Sequence, residues 1–202
     1  MCKNILIING SYRDNGITDQ TIDIISDHLR NKDVEIEIIV LREEEFQYCL
    51  NCRECMQKSG SKPEPCVQID SMKEIIEKLE HADAYVFASP TNLGSVTAIF
   101  KLFMERLSVY AYWPWGAAAP TYRKDGIPKK DQKKALLVSS SAAPGILARW
   151  FFSTIRQLKY TARIIGANPV GIINNGMIAT SSNKKLTDKE IMKIKKQTGK
   201  LL

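Results

Sequence analysis

The chain has 202 residues and a mass of 22.8 kDa; with 44% hydrophobic and 25% charged residues it is neither disordered, collagen-like nor of low complexity. That length suits a single domain over residues 1–202, and no apolar run approaches the roughly 20 residues of a membrane helix. The formal net charge of +7 is confined to two segments over a slightly acidic remainder with no nucleic-acid reading motif, which argues against a nucleic-acid partner.

Lys3–Asn9 is a short, continuous apolar run, the pattern of a strand covered on both faces. Its apolar part is too short for a signal-peptide core, so a cytoplasmic protein with no membrane association is expected. A turn-rich loop, Gly10 to Thr18, leads into a helix predicted over residues 18–31, with Ile22, Ile25 and Leu29 on one face. Val34–Leu41 is a second strand. Ser71-x-x-Glu74 reads as a capping box, with Asp70 as a rival cap, for a helix burying Met72, Ile75, Ile76 and Leu79. Ala84–Ala88 is a third strand, and Ser95 is placed to cap a helix running to about Tyr110. Residues 111–133 form a long irregular loop carrying Trp113, Trp115, Tyr112 and Tyr122; its end, residues 123–134, holds six basic residues against Asp125 and Asp131. Ala135–Ser139 is a fourth strand, residues 147–165 one helix, and Pro169–Ile173 a fifth strand. Thr187-x-x-Glu190 is a second capping box, opening a basic helix over about 187–200. Residues 184–202 hold seven lysines against Asp188 and Glu190, read as a solvated face.

Five strands alternating with helices predict an α/β protein: a five-stranded, doubly wound parallel sheet in a three-layer α/β/α sandwich of flavodoxin-like order. In such a sheet ligands bind at the carboxyl ends of the strands, which selects the loops 10–18, 89–95 and 139–146. The first combines Gly10 and Gly16 with Ser11, Arg13 and Thr18 ahead of a helix N-terminus, a set suited to a phosphate. No lysine follows the last glycine, so the loop is not that of a nucleoside triphosphatase. Pro90, Asn92 and the small residues from Ser139 onward offer hydrogen bonds and room for a flat polar ring.

GSYRDNGIT after the first strand, SPTNLGS after the third, FKLFMERL in the next helix, and a cysteine-bearing loop ending near Asp70 resemble the NAD(P)H-dependent FMN reductase family over most of the chain. The resemblance implies FMN as cofactor and NAD(P)H as electron donor. It implies that Ser11, Arg13, Gly16, Ile17 and Thr18 hold the FMN phosphate, and that Pro90, Thr91, Asn92, Leu93, Gly94, Ser140, Ser141 and Gly145 border the isoalloxazine. Ile17 and Thr91-Asn92 depart from the family pattern, which often has Asn and a Val-Tyr pair there. The chemistry resides in the flavin, and no catalytic side chain is expected. His28 and His81 lie in helices, His81 near a C-terminus where a cation suits the dipole.

Cys49-x2-Cys52-x2-Cys55-x10-Cys66 concentrates four of the five cysteines. The spacing suits an iron–sulfur cluster and resembles the motif of iron–sulfur flavoproteins, although the gap to Cys66 is longer than theirs. Zinc, or small partly buried thiols packed without metal, are the other readings. The loop aromatics either roof the flavin or bury themselves between subunits. The expected protein is an FMN-dependent NAD(P)H oxidoreductase, a homodimer or homotetramer, passing hydride through FMN to a quinone, nitro or azo compound, flavin or other small-molecule acceptor. The alternatives are an iron–sulfur flavoprotein serving a protein carrier, and a non-enzymatic FMN electron carrier.

Overall fold

The computed structural model describes residues 2–30, 32–181 and 183–202, without the side chains of residues 145, 146 and 149. The main elements are β1 (Lys3–Asn9), α1 (Ile17–Arg30), β2 (Val34–Val40), α2 (Met72–His81), β3 (Ala84–Pro90) and α3 (Ala98–Arg106). A two-residue hairpin follows, β4 (Ala111–Tyr112) with β5 (Thr121–Tyr122), and then β6 (Lys133–Ser140), α4 (Gly145–Phe151), α5 (Thr154–Ile164), β7 (Ala167–Asn175) and α6 (Asp188–Thr198).

The five long strands form one parallel sheet in the order β2-β1-β3-β6-β7, the flavodoxin-like arrangement. Alternate residues of the central strands feed two cores. Leu6, Ile8, Tyr85, Phe87, Ala135 and Leu137 meet α2, α3 and α5, whereas Ile5, Ile7, Val86, Leu136 and Val138 meet α1 and α6. Burial on both faces explains why these strands read as continuous apolar runs.

Three local expectations are corrected. The Ser71 hydroxyl does not cap α2: it donates to the Glu45 carbonyl (3.0 Å), and Asp70 Oδ1 accepts the Met72 amide instead (3.2 Å). Ser95 does not cap α3, because Thr97 fills that role through Phe100 N, and the helix tightens into a 3-10 turn over Leu107–Tyr110. Residues 147–165 are two helices, parted where the Ser153 amide donates to the Gly94 carbonyl (2.7 Å). The capping box of Thr187 and Glu190 is present. Asn31, where the predicted first helix ends, lies outside the described residues.

Candidate functional site

The loop after β1 is built by a chain of side-chain locks. Buried Asn9 accepts the Ser11 amide on Oδ1 (2.9 Å) and donates through Nδ2 to Asp19 at the start of α1 (2.8 Å). Ser11 Oγ bonds the backbone of Arg13, accepting from its amide and donating to its carbonyl, both at 3.2 Å. Behind the loop, Arg42 Nη1 donates to the Ser11 carbonyl (2.9 Å) while Nη2 pairs with Asp14. Gly10 has no room for a side chain: an added Cβ would stand 2.7 Å from Phe100 Cδ2. Thr97 Oγ1 donates to the Gly10 carbonyl (2.7 Å), joining this loop to α3. The loop therefore presents the first-turn amides of α1, which have no intrahelical acceptor, to an anion.

The neighbouring strand ends complete a cleft of 490 Å³ lined by Ser11 through Thr18, Gln20, Pro90, Thr91, Asn92, Ser140 and part of residues 178–185. Thr18 Oγ1 and Ser140 Oγ bond at 3.0 Å, closing its floor. Thr91 N donates to the Ser140 carbonyl (2.7 Å), and Thr91 Oγ1 bonds Thr154 (2.9 Å). The structure thus brings together Ser11, Arg13, Gly16, Ile17, Thr18, Pro90, Thr91, Asn92 and Ser140 from the predicted set.

Four predicted residues stand outside the lining. Leu93 and Gly94 form the tip of a tight turn closed by reciprocal bonds between Asn92 and Ser95 (2.9 and 3.0 Å), with φ of +46° and +79°; Leu93 is fully exposed. Ser141 is buried, its hydroxyl donating to the Ala143 carbonyl (3.0 Å). Gly145 opens α4, and its surroundings lie outside the described residues. Conversely, Ile178, Ser181, Asn183, Lys184 and Lys185 line the cleft and were missed. They follow the fifth strand at the same sheet edge, and that position is the signal that could have found them.

The four cysteines and the long loop meet elsewhere. Cys49 and Cys55 both lie against the Ser108 hydroxyl (3.8 and 3.9 Å), beyond the end of α3. Thr97, at the cleft end of that helix, is roughly 15 Å of helical rise away. Burial raises the Cys55 thiol above its ordinary range, the Ser108 bond opposes this, and the other three thiols add to the rise. Among the described residues no group of three or more His, Cys, Asp or Glu is arranged to hold a metal ion.

Of the two alternatives for the loop aromatics, the flavin roof is not met among the described residues: none of them lines the cleft. Arg53, in a left-handed conformation (φ +62°), lies 3.9 Å from the ring centre of Trp113 and 4.5 Å from that of Trp115. Tyr110 is buried against Glu80 (3.0 Å). The basic run 123–134 is partly internal too: Arg123 donates to carbonyls of Val109, Lys58, Gly60 and Cys55, while Lys124 and Lys133 reach Glu80.

The model of a family described as NADPH-dependent FMN reductase matches residues 3–166. The chain belongs to this family. An iron-sulfur flavoprotein of Archaeoglobus fulgidus is 30% identical over 128 residues, covering 61% of this chain and 56% of that protein. The chain spans about half the length of the curated relatives it matches. Among solved structures, an NAD(P)H:quinone oxidoreductase from Methanothermobacter marburgensis superposes with a TM-score of 0.71 at 15% identity, over 98% of both chains. An FMN-dependent NADH-azoreductase from Bacillus anthracis, solved with FMN, gives 0.65 at 12% identity, over 98% of this chain and 99% of its own. These likenesses establish the fold of this FMN reductase family member.

Proposed function

We propose that the cleft at the carboxyl edge of the sheet holds FMN and that the protein is an NAD(P)H oxidoreductase acting on a small-molecule acceptor such as a quinone, nitro or azo compound, or flavin. The observation that carries the reading is the convergence of the loops after β1, β3 and β6 on one cleft of 490 Å³, within the usual range for a cofactor site. The donor set fits FMN. Gly16, Ile17 and Thr18 offer amides at the N-terminus of a 14-residue helix, and Arg13 adds a cation, which together suit a phosphate monoester. Pro90, Thr91, Asn92 and Ser140 supply backbone and side-chain polar groups for the ring. Asp14, the lone carboxylate of the lining among the described residues, is paired with Arg42 and does not oppose an anion.

FMN held there would supply the redox chemistry, the transfer of hydride from NAD(P)H to the acceptor. The chain's own part is to fix and orient. The Thr18–Ser140 bond ties α1 to the end of β6, and the Thr91–Thr154 bond ties the loop after β3 to α5. Neither His28 nor His81 lines the cleft. One domain, a cytoplasmic location and a homodimer or homotetramer complete the reading; exposed Leu147, Trp150 and Phe151 on α4 favour the assembly.

Anaerobic mixing of the FMN-loaded protein with NADH or NADPH tests the activity. Rapid loss of the oxidised-flavin absorbance is expected with at least one of them. Persistence of that absorbance with both would leave an FMN carrier without reductase activity.

The second reading is an iron–sulfur flavoprotein, favoured by the names of the similar proteins and by the gathering of Cys49, Cys52, Cys55 and Cys66. The thiols as placed do not fit a metal centre, and the proposed reaction runs through the cleft alone. Stoichiometric iron and sulfide in anaerobic preparations, lost on Cys52→Ser, would establish this reading instead.

A further inference from the structure

The cleft has a wall that the three predicted loops do not supply. Residues 178–185 follow β7 and lie beyond residue 166, where the match to the family ends, yet Ile178, Ser181, Asn183, Lys184 and Lys185 line the same opening as Ser11–Thr18. Gln20 of α1 fixes the two together. Its Nε2 donates to the carbonyls of Asn15 (3.1 Å) and Lys184 (3.2 Å), and its Oε1 accepts the Leu186 amide (3.2 Å). The wall is thus tied to the turn that carries the anion-binding amides.

Its two lysines differ in what their ammonium groups touch. Lys184 Nζ donates to the carbonyls of Gly176 (3.2 Å) and Met177 (3.3 Å) and pairs with Glu190 (3.5 Å). Its charge is spent on tying Gly176 and Met177 to Glu190. Lys185, the next residue, is exposed, lines the cleft, and forms neither ion pair nor hydrogen bond among the described residues.

We propose that Lys185 is a specificity-determining residue for the phosphate monoester, so that this wall makes the cleft select FMN over riboflavin. The inference rests on the flavin reading of the cleft and names a residue beyond residue 166, where the match to the family model ends. A phosphate monoester carries a charge of about −1.5 to −2 at pH 7, and an ammonium on a flexible stem meets it as a point charge. Riboflavin ends in a neutral hydroxyl at the same place and gains little from that charge. Lys184 acts as a positioning residue, holding the backbone from which Lys185 extends.

The test is a titration of wild type, Lys185→Ala and Lys185→Arg with FMN and, separately, with riboflavin. Lys185→Ala is expected to raise the Kd for FMN about fivefold to tenfold and to leave that for riboflavin unchanged, while Lys185→Arg retains most of the FMN affinity. Added salt should weaken FMN binding to wild type more than to Lys185→Ala. An unchanged FMN Kd in Lys185→Ala, or an equal loss for both ligands, overturns the role of Lys185 and leaves the flavin reading standing. A wild-type protein that binds neither ligand overturns both.

Discussion

The cleft and the thiol-bearing annex are both rich in cationic and polar side chains, and they use them in opposite directions. In the annex, formed by residues 47–70 and 106–123, three guanidiniums point inward. Arg53 donates to the carbonyls of Trp113 (2.7 Å) and Pro114, Arg123 to four carbonyls, and Arg106 to the Gln47 carbonyl and both oxygens of Asp70. There the cations substitute for secondary structure, satisfying carbonyls in a segment with little helix or strand. At the cleft, hydroxyls and side-chain amides brace the backbone, and helix-terminal amides and Lys185 remain toward the opening. Residue type alone does not distinguish a binding cation from a structural one. The count of internal acceptors around it does.

This contrast predicts that annex variants lose stability and cleft variants lose affinity. The largest effect belongs to Arg106, which is 2% exposed and forms a bidentate pair with Asp70 at 2.5 and 2.9 Å. Arg106→Ala strands a buried carboxylate and should lower the unfolding free energy in urea by about 3–5 kcal/mol. The pair also sets a pH limit. Burial opposes the charge on Asp70, but bonds from Arg106 and from the amides of Gln47 and Met72 outweigh it and hold the carboxyl below its ordinary range. That contribution is complete above about pH 4 and lost as pH falls through the lowered value. Asp70→Asn should therefore lack this part of the acid unfolding seen in wild type.

Arg13→Ala should act in the other direction. It is expected to raise the FMN Kd tenfold to a hundredfold, about 1.5–3 kcal/mol, with a smaller effect on unfolding than Arg106→Ala. A large stability loss with unchanged affinity would erase the distinction between the regions. Gly10→Ala should breach it deliberately, because the added Cβ meets buried Phe100; a loss of about 1–3 kcal/mol is expected in urea, with weaker FMN binding as the loop shifts. The smallest effect is at the turn tip. Leu93→Gly relieves a left-handed leucine and should raise stability by up to about 1 kcal/mol, read as a small increase in Tm.

The fold was legible because its strands are buried on both faces and separated by turn-forming residues; β1 was predicted to the residue. Helix starts were less so, since competing partners decide them. The pattern Ser71-x-x-Glu74 is intact, but Glu45 takes the serine hydroxyl, and only the Thr187 box has no rival. The loop Ser11–Thr18 was legible from its mixture of glycine, hydroxyls and arginine ahead of a helix. The wall at 178–185 was not, because Lys184 and Lys185 were counted with the terminal helix and their return to the cleft depends on Gln20, far away in sequence. Which of the two roles the loop aromatics take was not legible for a similar reason: Arg53 holds Trp113 and Trp115, and Glu80 holds Tyr110, away from the cleft, and neither is nearby in sequence.

The central claim is that the three strand-end loops form a site for FMN. Titration of the purified, flavin-stripped chain with FMN, followed by flavin fluorescence, tests it most directly. The account predicts saturation at one FMN per chain with a micromolar or tighter Kd. Binding no tighter than millimolar, with no flavin accompanying the protein through purification, would contradict it.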